Sequence, residues 1–75
     1  VIIVYTTDDC VWCERTKKAL SEADLPFDER SIKRPVYRDE WLTYLGDRRK
    51  TVPQVVANGV LIGGYEATKE WLRAH

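Results

Sequence analysis

The chain reads as an α/β fold: a four-stranded mixed sheet flanked by three helices, in the order βαβ, then a helix, then ββα. Three observations predict it. A short β-branched run opens the chain and is followed at once by a helical pattern, as in a strand-to-helix crossover unit. A second strand-like segment closes that unit, which implies parallel strands joined by a right-handed connection. Asn58-Gly59 then stands between two apolar runs, the strongest short hairpin signal in the sequence.

Residues 1–5 form the first predicted strand, because Val1, Ile2, Ile3 and Val4 are continuous, apolar and mostly β-branched. Thr6 to Asp9 make a polar turn. A helix is predicted over residues 11–24, with Val11, Ala19, Leu20 and Ala23 on its inner face and Glu14, Arg15, Lys17, Lys18 and Glu22 outside. Asp24 to Pro26 end it. Residues 27–32 alternate imperfectly and predict a strand near a sheet edge. Pro35 suits the first turn of a second helix, in which Tyr37, Trp41, Tyr44 and Leu45 recur at helical spacing before Gly46 stops it. A third strand is expected over residues 52–57 and a fourth over residues 60–62, broken by Gly63-Gly64. The last helix covers residues 65–74, with Ala67, Trp71 and Leu72 facing inward.

With 75 residues the chain suits one domain, 1–75, with a modest core. Twelve basic and 12 acidic side chains cancel, so composition gives no reason to expect nucleic acid or an anionic membrane as partner. No apolar run is long enough to span a bilayer, and no signal-like segment is present. A reducing, cytoplasmic setting and a monomer are the expectation.

The only two cysteines lie in Cys10-Val11-Trp12-Cys13, at the predicted junction of first strand and first helix. A disulfide between them would close a tiny loop and constrain the unfolded chain little, so the pair points to chemistry rather than stapling. Free amides at a helix start, those of Trp12 and Cys13, favour a thiolate at Cys10. Cys10 is therefore the expected attacking nucleophile. Cys13, one turn in, is the expected resolving thiol. Asp8 and Asp9 oppose this, since nearby carboxylates disfavour a thiolate. Three other readings stay open: an intrachain zinc site, a metal or iron–sulfur centre shared between two chains, and two inert core cysteines. Zinc lacks ligands, because there is no second cysteine pair and the only histidine is His75, so no metal is expected.

Thr51-Val52-Pro53 begins the third strand. On sequence alone the bond before Pro53 reads as trans, and a cis bond would free Val52 to pair with an extended peptide-like ligand. Gly63-Gly64 precedes the last helix, whose first amides suit an anion, with Gly64 permitting close approach and Glu66 able to cap or hold an ammonium. Arg48-Arg49-Lys50 is a surface run beside this region, fit for a carboxylate.

Taken together, Tyr5-Thr6, Cys10-Val11-Trp12-Cys13, Thr51-Val52-Pro53-Gln54 and Ile62-Gly63-Gly64, in this order and spacing, resemble a glutaredoxin over the whole chain, most like the compact phage or bacterial ones. The resemblance implies a thioredoxin-like fold with Pro53 cis beside Cys10, and glutathione as reductant. It implies that glutathione pairs with Val52, flanked by Thr51 and Pro53, and sets its γ-glutamyl carboxylate at Gly64 and Tyr65 with Glu66 nearby. Thr7 stands where many members have lysine, which leaves Arg49 or Arg48 as the partner for the glycine carboxylate. Val11 replaces a common proline, and Glu66 a common aspartate. The implied partners are disulfide-containing or glutathionylated proteins, ribonucleotide reductase among them. Residues 5–11 also look like the small redoxins that serve ribonucleotide reductase and are reduced by thioredoxin reductase. Those usually lack the Gly63-Gly64 element, so the glutaredoxin reading ranks first.

Overall fold

The computed structural model describes residues 1–74, and His75 lies outside them. Its elements are β1 (Ile2–Thr6), α1 (Val11–Glu22), β2 (Asp28–Ser31), α2 (Pro35–Leu45), β3 (Gln54–Ala57), β4 (Val60–Gly63) and α3 (Tyr65–Arg73). The sheet runs β2-β1-β3-β4. β1 and β2 are parallel, and the other two pairings are antiparallel. The order predicted from the sequence is therefore present, with β2 at an edge.

Successive strand residues point to opposite faces of a sheet. In β1, Ile2 and Val4 join Leu20, Val55 and Ala57 in one core, flanked by Phe27, Ile62, Trp71 and Leu72. Tyr5 goes to the other face with Trp41, Leu45 and Val56. The first core lies under α1 and α3, the second under α2. Because β1 and β3 are covered on both sides, they read as continuous apolar runs rather than alternating ones.

Several expectations shift. Strand β1 extends to Thr6, whose carbonyl accepts from the Ile32 amide at 2.9 Å. Helix α1 stops at Glu22, two residues earlier than expected, and the chain reverses through Asp24 at φ 58°. Its buried stripe is Cys13, Thr16 and Leu20, not the face through Val11 and Ala23, both of which are exposed. Val11 precedes Cys13 by two positions, about 200° around a helix, so one turns outward when the other turns in. Strand β3 starts at Gln54, after the proline that cannot donate to a ladder. Strand β4 continues through Gly63, with a register shift against Val55 and Val56 that leaves Ile62 as the extra residue. In α3, Thr68 takes the fully buried place and Ala67 is exposed, while Trp71 and Leu72 are half-buried as expected. Among the described residues no helix is long and apolar enough to cross a membrane.

Candidate active site

Cys10 is the N-cap of α1, in extended conformation, and its Sγ accepts from the Cys13 amide at 3.1 Å. The first amides of a helix have no partner within it, so a side chain at this position satisfies one of them. The two sulfurs form a disulfide with the Cα atoms 5.2 Å apart. Cys13 is fully buried on the core face of α1, whereas Cys10 is half-exposed. A partner sulfur can therefore approach Cys10 but not Cys13.

The two carboxylates before Cys10 are placed differently. Asp8 pairs with Lys33 across the turn between β2 and α2, Oδ2 to Nζ 2.7 Å. Asp9 is exposed in the left-handed region at φ 52° and supplies the turn into the helix.

The Val52–Pro53 bond is cis, as the resemblance implied and against the sequence-alone reading of trans. Thr51 is held from two sides. Trp41 Nε1 donates to its carbonyl at 3.1 Å, and Gln54 Nε2 donates to its Oγ1 at 3.0 Å. Trp41 is buried against α2's core, so that helix fixes the turn before β3. This support was not read from the sequence, where Trp41 stood only among the residues recurring at helical spacing.

Gly64 is the N-cap of α3. A Cβ placed on it would lie 3.5 Å from the Pro53 carbonyl oxygen, so the start of α3 abuts the cis-proline turn. Gly63 is more constrained: φ is 128°, and a Cβ there would meet the Ala67 Cβ at 2.9 Å. The Tyr65 ring packs on Trp12, centroids 5.1 Å apart, bringing the first turns of α1 and α3 side by side. Ala19 and Glu22 share a groove with Lys69, Leu72 and Arg73 farther along, so the two helices run in the same sense. Arg15 lies over Trp12 at 4.6 Å and Lys69 over Tyr65 at 5.8 Å. Neither aromatic pair nor cations were predicted as one unit. The only signal was an aromatic residue next to each helix start.

A cleft of about 290 Å³ runs between the turn before β3 and the start of α3, lined among others by Arg48, Arg49, Thr51, Gln54, Gly63 and Gly64. The basic run thus divides. Arg48 and Arg49 face the cleft, while Lys50 turns back to the carbonyls of Gly46 and Arg48. Tyr65 and Glu66 fall on the far side of Gly64, in a second cavity with Trp12 and Ala67. Thr7 is half-buried. Among the described residues no cluster of three or more His, Cys, Asp or Glu could hold a metal ion.

The glutaredoxin family model matches residues 2–62, the span from β1 through the cysteines to β4. The chain belongs to the glutaredoxin family. This glutaredoxin is similar in structure to a buckwheat glutaredoxin solved as a glutathione complex, at TM-score 0.79 and 23% identity over 97% of this chain and 68% of that one. It is similar to glutaredoxin 1 of Francisella tularensis, complexed with cacodylate, at TM-score 0.80 and 24% identity over 97% and 92%. At 27% identity and TM-score 0.73 it also matches the glutaredoxin-like NrdH-redoxin of Escherichia coli, which has a thioredoxin-like activity profile, over 97% and 91%. A search of curated proteins finds no match. The fold is thioredoxin-like, and the chain is a glutaredoxin- or NrdH-like redox protein with its disulfide at Cys10 and Cys13.

Proposed function

We propose that the protein is a glutathione-dependent thiol-disulfide oxidoreductase acting on protein disulfides and glutathione mixed disulfides. The Cys10 thiolate attacks a substrate sulfur, forming a mixed disulfide as the substrate's other sulfur leaves as a thiolate and takes up a proton. On a protein disulfide, Cys13 then attacks Cys10, releases the second substrate thiol and closes the Cys10–Cys13 disulfide. Two glutathione molecules return it to the dithiol and leave as glutathione disulfide. On a glutathionylated protein, Cys10 takes the glutathionyl group and a second glutathione removes it, so one thiol suffices.

The observation that carries the glutathione reading is the cleft from Arg48 and Arg49 past Thr51 to Gly64. Glutathione is an extended tripeptide with a carboxylate at each end. The cleft offers guanidinium groups from Arg48 and Arg49, the helix start at Gly64, and Thr51 and Gln54 on either side of the cis bond. In this reading Arg49 takes the glycine carboxylate, and Gly64 and Tyr65 take the γ-glutamyl carboxylate, with Glu66 beside its ammonium. The test is NADPH consumption with glutathione and glutathione reductase, against consumption with thioredoxin reductase alone. Turnover only in the first supports the proposal, and none with glutathione overturns it.

A second reading keeps the chemistry and changes the donor to thioredoxin reductase, with ribonucleotide reductase as target. The likeness to NrdH-redoxin over nearly its whole length favours it. Turnover in the second assay alone would establish the donor, and the target is tested by adding ribonucleotide reductase to that assay.

A further inference from the structure

We propose that the aromatic shelf beside Cys10 selects protein substrates, taking an acidic segment with a bulky apolar residue next to its reactive cysteine. The inference rests on the dithiol exchange proposed above and is independent of the donor. Trp12 is 48% exposed and Val11 is 61% exposed, although both flank a reactive sulfur. Beside them is a second cavity of about 290 Å³, lined by Trp12, Gly64, Tyr65, Glu66 and Ala67. Its walls are chiefly the two rings, the Gly64 backbone and the Ala67 methyl, so an apolar side chain matches it. Gly64, Tyr65 and Glu66 are common to this cavity and to the glutathione assignment above, so a protein segment and a glutathionyl group use the shelf in turn.

Charge sets the rest of the partner. Arg15 and Lys69 lie over the outer faces of this ring pair, and among the described residues neither forms an ion pair. Of the neighbouring carboxylates, Glu14 pairs with Lys17 and Glu70 with Arg73, while Glu22 shares the groove farther along with Lys69 and Asp9 is exposed before Cys10. Glu66 is the acidic group at the rim and is assigned above to a glutathione ammonium. Two unneutralised cations around an apolar floor suit carboxylates flanking an apolar residue. A chain without net charge thus presents a locally basic docking face.

The experiment uses the reduced protein in single turnover with symmetrical disulfides of short peptides. Each reaction yields two peptide thiols and the Cys10–Cys13 disulfide. The peptides carry Phe or Ser beside the cysteine and Glu or Lys farther out, and each rate is divided by that of the same peptide with dithiothreitol. Hydroxyethyl disulfide serves as the small-molecule reference. Phe over Ser is expected to gain about tenfold, and Glu over Lys about threefold for each cation engaged, fading at high salt. The double variant R15E/K69E should reverse the charge preference and leave the hydroxyethyl disulfide rate unchanged. Equal normalised rates for Phe and Ser peptides, or a charge preference that survives the reversal, would overturn the shelf. Failure with hydroxyethyl disulfide itself would instead overturn the dithiol reading.

Discussion

At the scale of single residues, the two cysteines differ by burial more than by chemistry. Cys10 caps a helix at the surface, and Cys13 is sealed one turn below it. Cys10→Ser is therefore expected to abolish reduction of both protein disulfides and glutathione mixed disulfides. Cys13→Ser should lose the first and keep the second, read in parallel assays. That Cys13 is the more shielded of the two was legible in the sequence, because a helix start and a two-residue spacer set it one turn in. Thr68 was not. Its hydroxyl is buried with no hydrogen-bond partner, the only such side-chain atom among the described residues. An orphaned buried hydroxyl costs stability that an apolar isostere does not. Thr68→Val should raise the urea unfolding free energy by about 1 kcal/mol, and a loss of that size would mean the hydroxyl has a use.

Elements position the site through a few close approaches. Adjacent glycines at the start of α3 make unlike demands, and substitution should separate them. Gly63→Ala forces a side chain into φ 128° and against Ala67, and should cost about 1–3 kcal/mol in urea titration. Gly64→Ala meets the Pro53 oxygen at an ordinary distance, so the fold should tolerate it while the glutathione KM rises. Helix α2 acts at one remove: Trp41→Phe keeps an aromatic ring but loses the bond to Thr51 and some buried volume, with an expected loss of about 1–3 kcal/mol. Because that bond orients the turn before Pro53, KM for glutathione should rise more than kcat falls. The sequence showed where these elements lie and placed Leu20, Trp71 and Leu72 on the core side, but it misassigned Val11 and Ala23 in α1 and Ala67 in α3. Apolar periodicity counts hydrophobic residues, and here Thr16 and Thr68 fill the buried places while Val11 and Ala67 face outward. Long-range hydrogen bonds such as Trp41 to Thr51 have no periodic signature at all.

Across the whole molecule, the parallel β1–β2 pair and the antiparallel β3–β4 pair followed from the βαβ unit and the Asn58-Gly59 hairpin, whereas the β1–β3 pairing that joins them was not read. Less legible was the polar network tying β1, β2 and α2 beneath the second core. Tyr5 donates to Glu40 at 2.9 Å, and Arg30 bridges Glu40 and Asp28 at 2.7 and 2.8 Å. Its members lie far apart in sequence and looked like ordinary surface charges. The hydrogen bond from Arg30 holds the Glu40 carboxyl below its usual range, and burial pushes the Tyr5 hydroxyl up to about 12. A depressed carboxyl stabilises the fold above its unfolded pKa, and that contribution is lost as pH falls through the folded value. A raised phenol stabilises it fully below about pH 10, and that contribution is lost as pH climbs toward about 12. Melting temperature should therefore fall at both extremes. Glu40→Gln should flatten the acid limb and Tyr5→Phe the alkaline limb, as read by melting curves across pH.

The shared direction of α1 and α3 has one more consequence. Both helices begin at the same end of the sheet, at Cys10 and at Gly64, so the positive poles of two peptide dipoles converge there. That polarity resides in the backbone. It has no pKa, cannot be reversed by a surface substitution, and persists in a chain whose ionised side chains sum to zero. An arriving anion meets a charge that the composition does not contain.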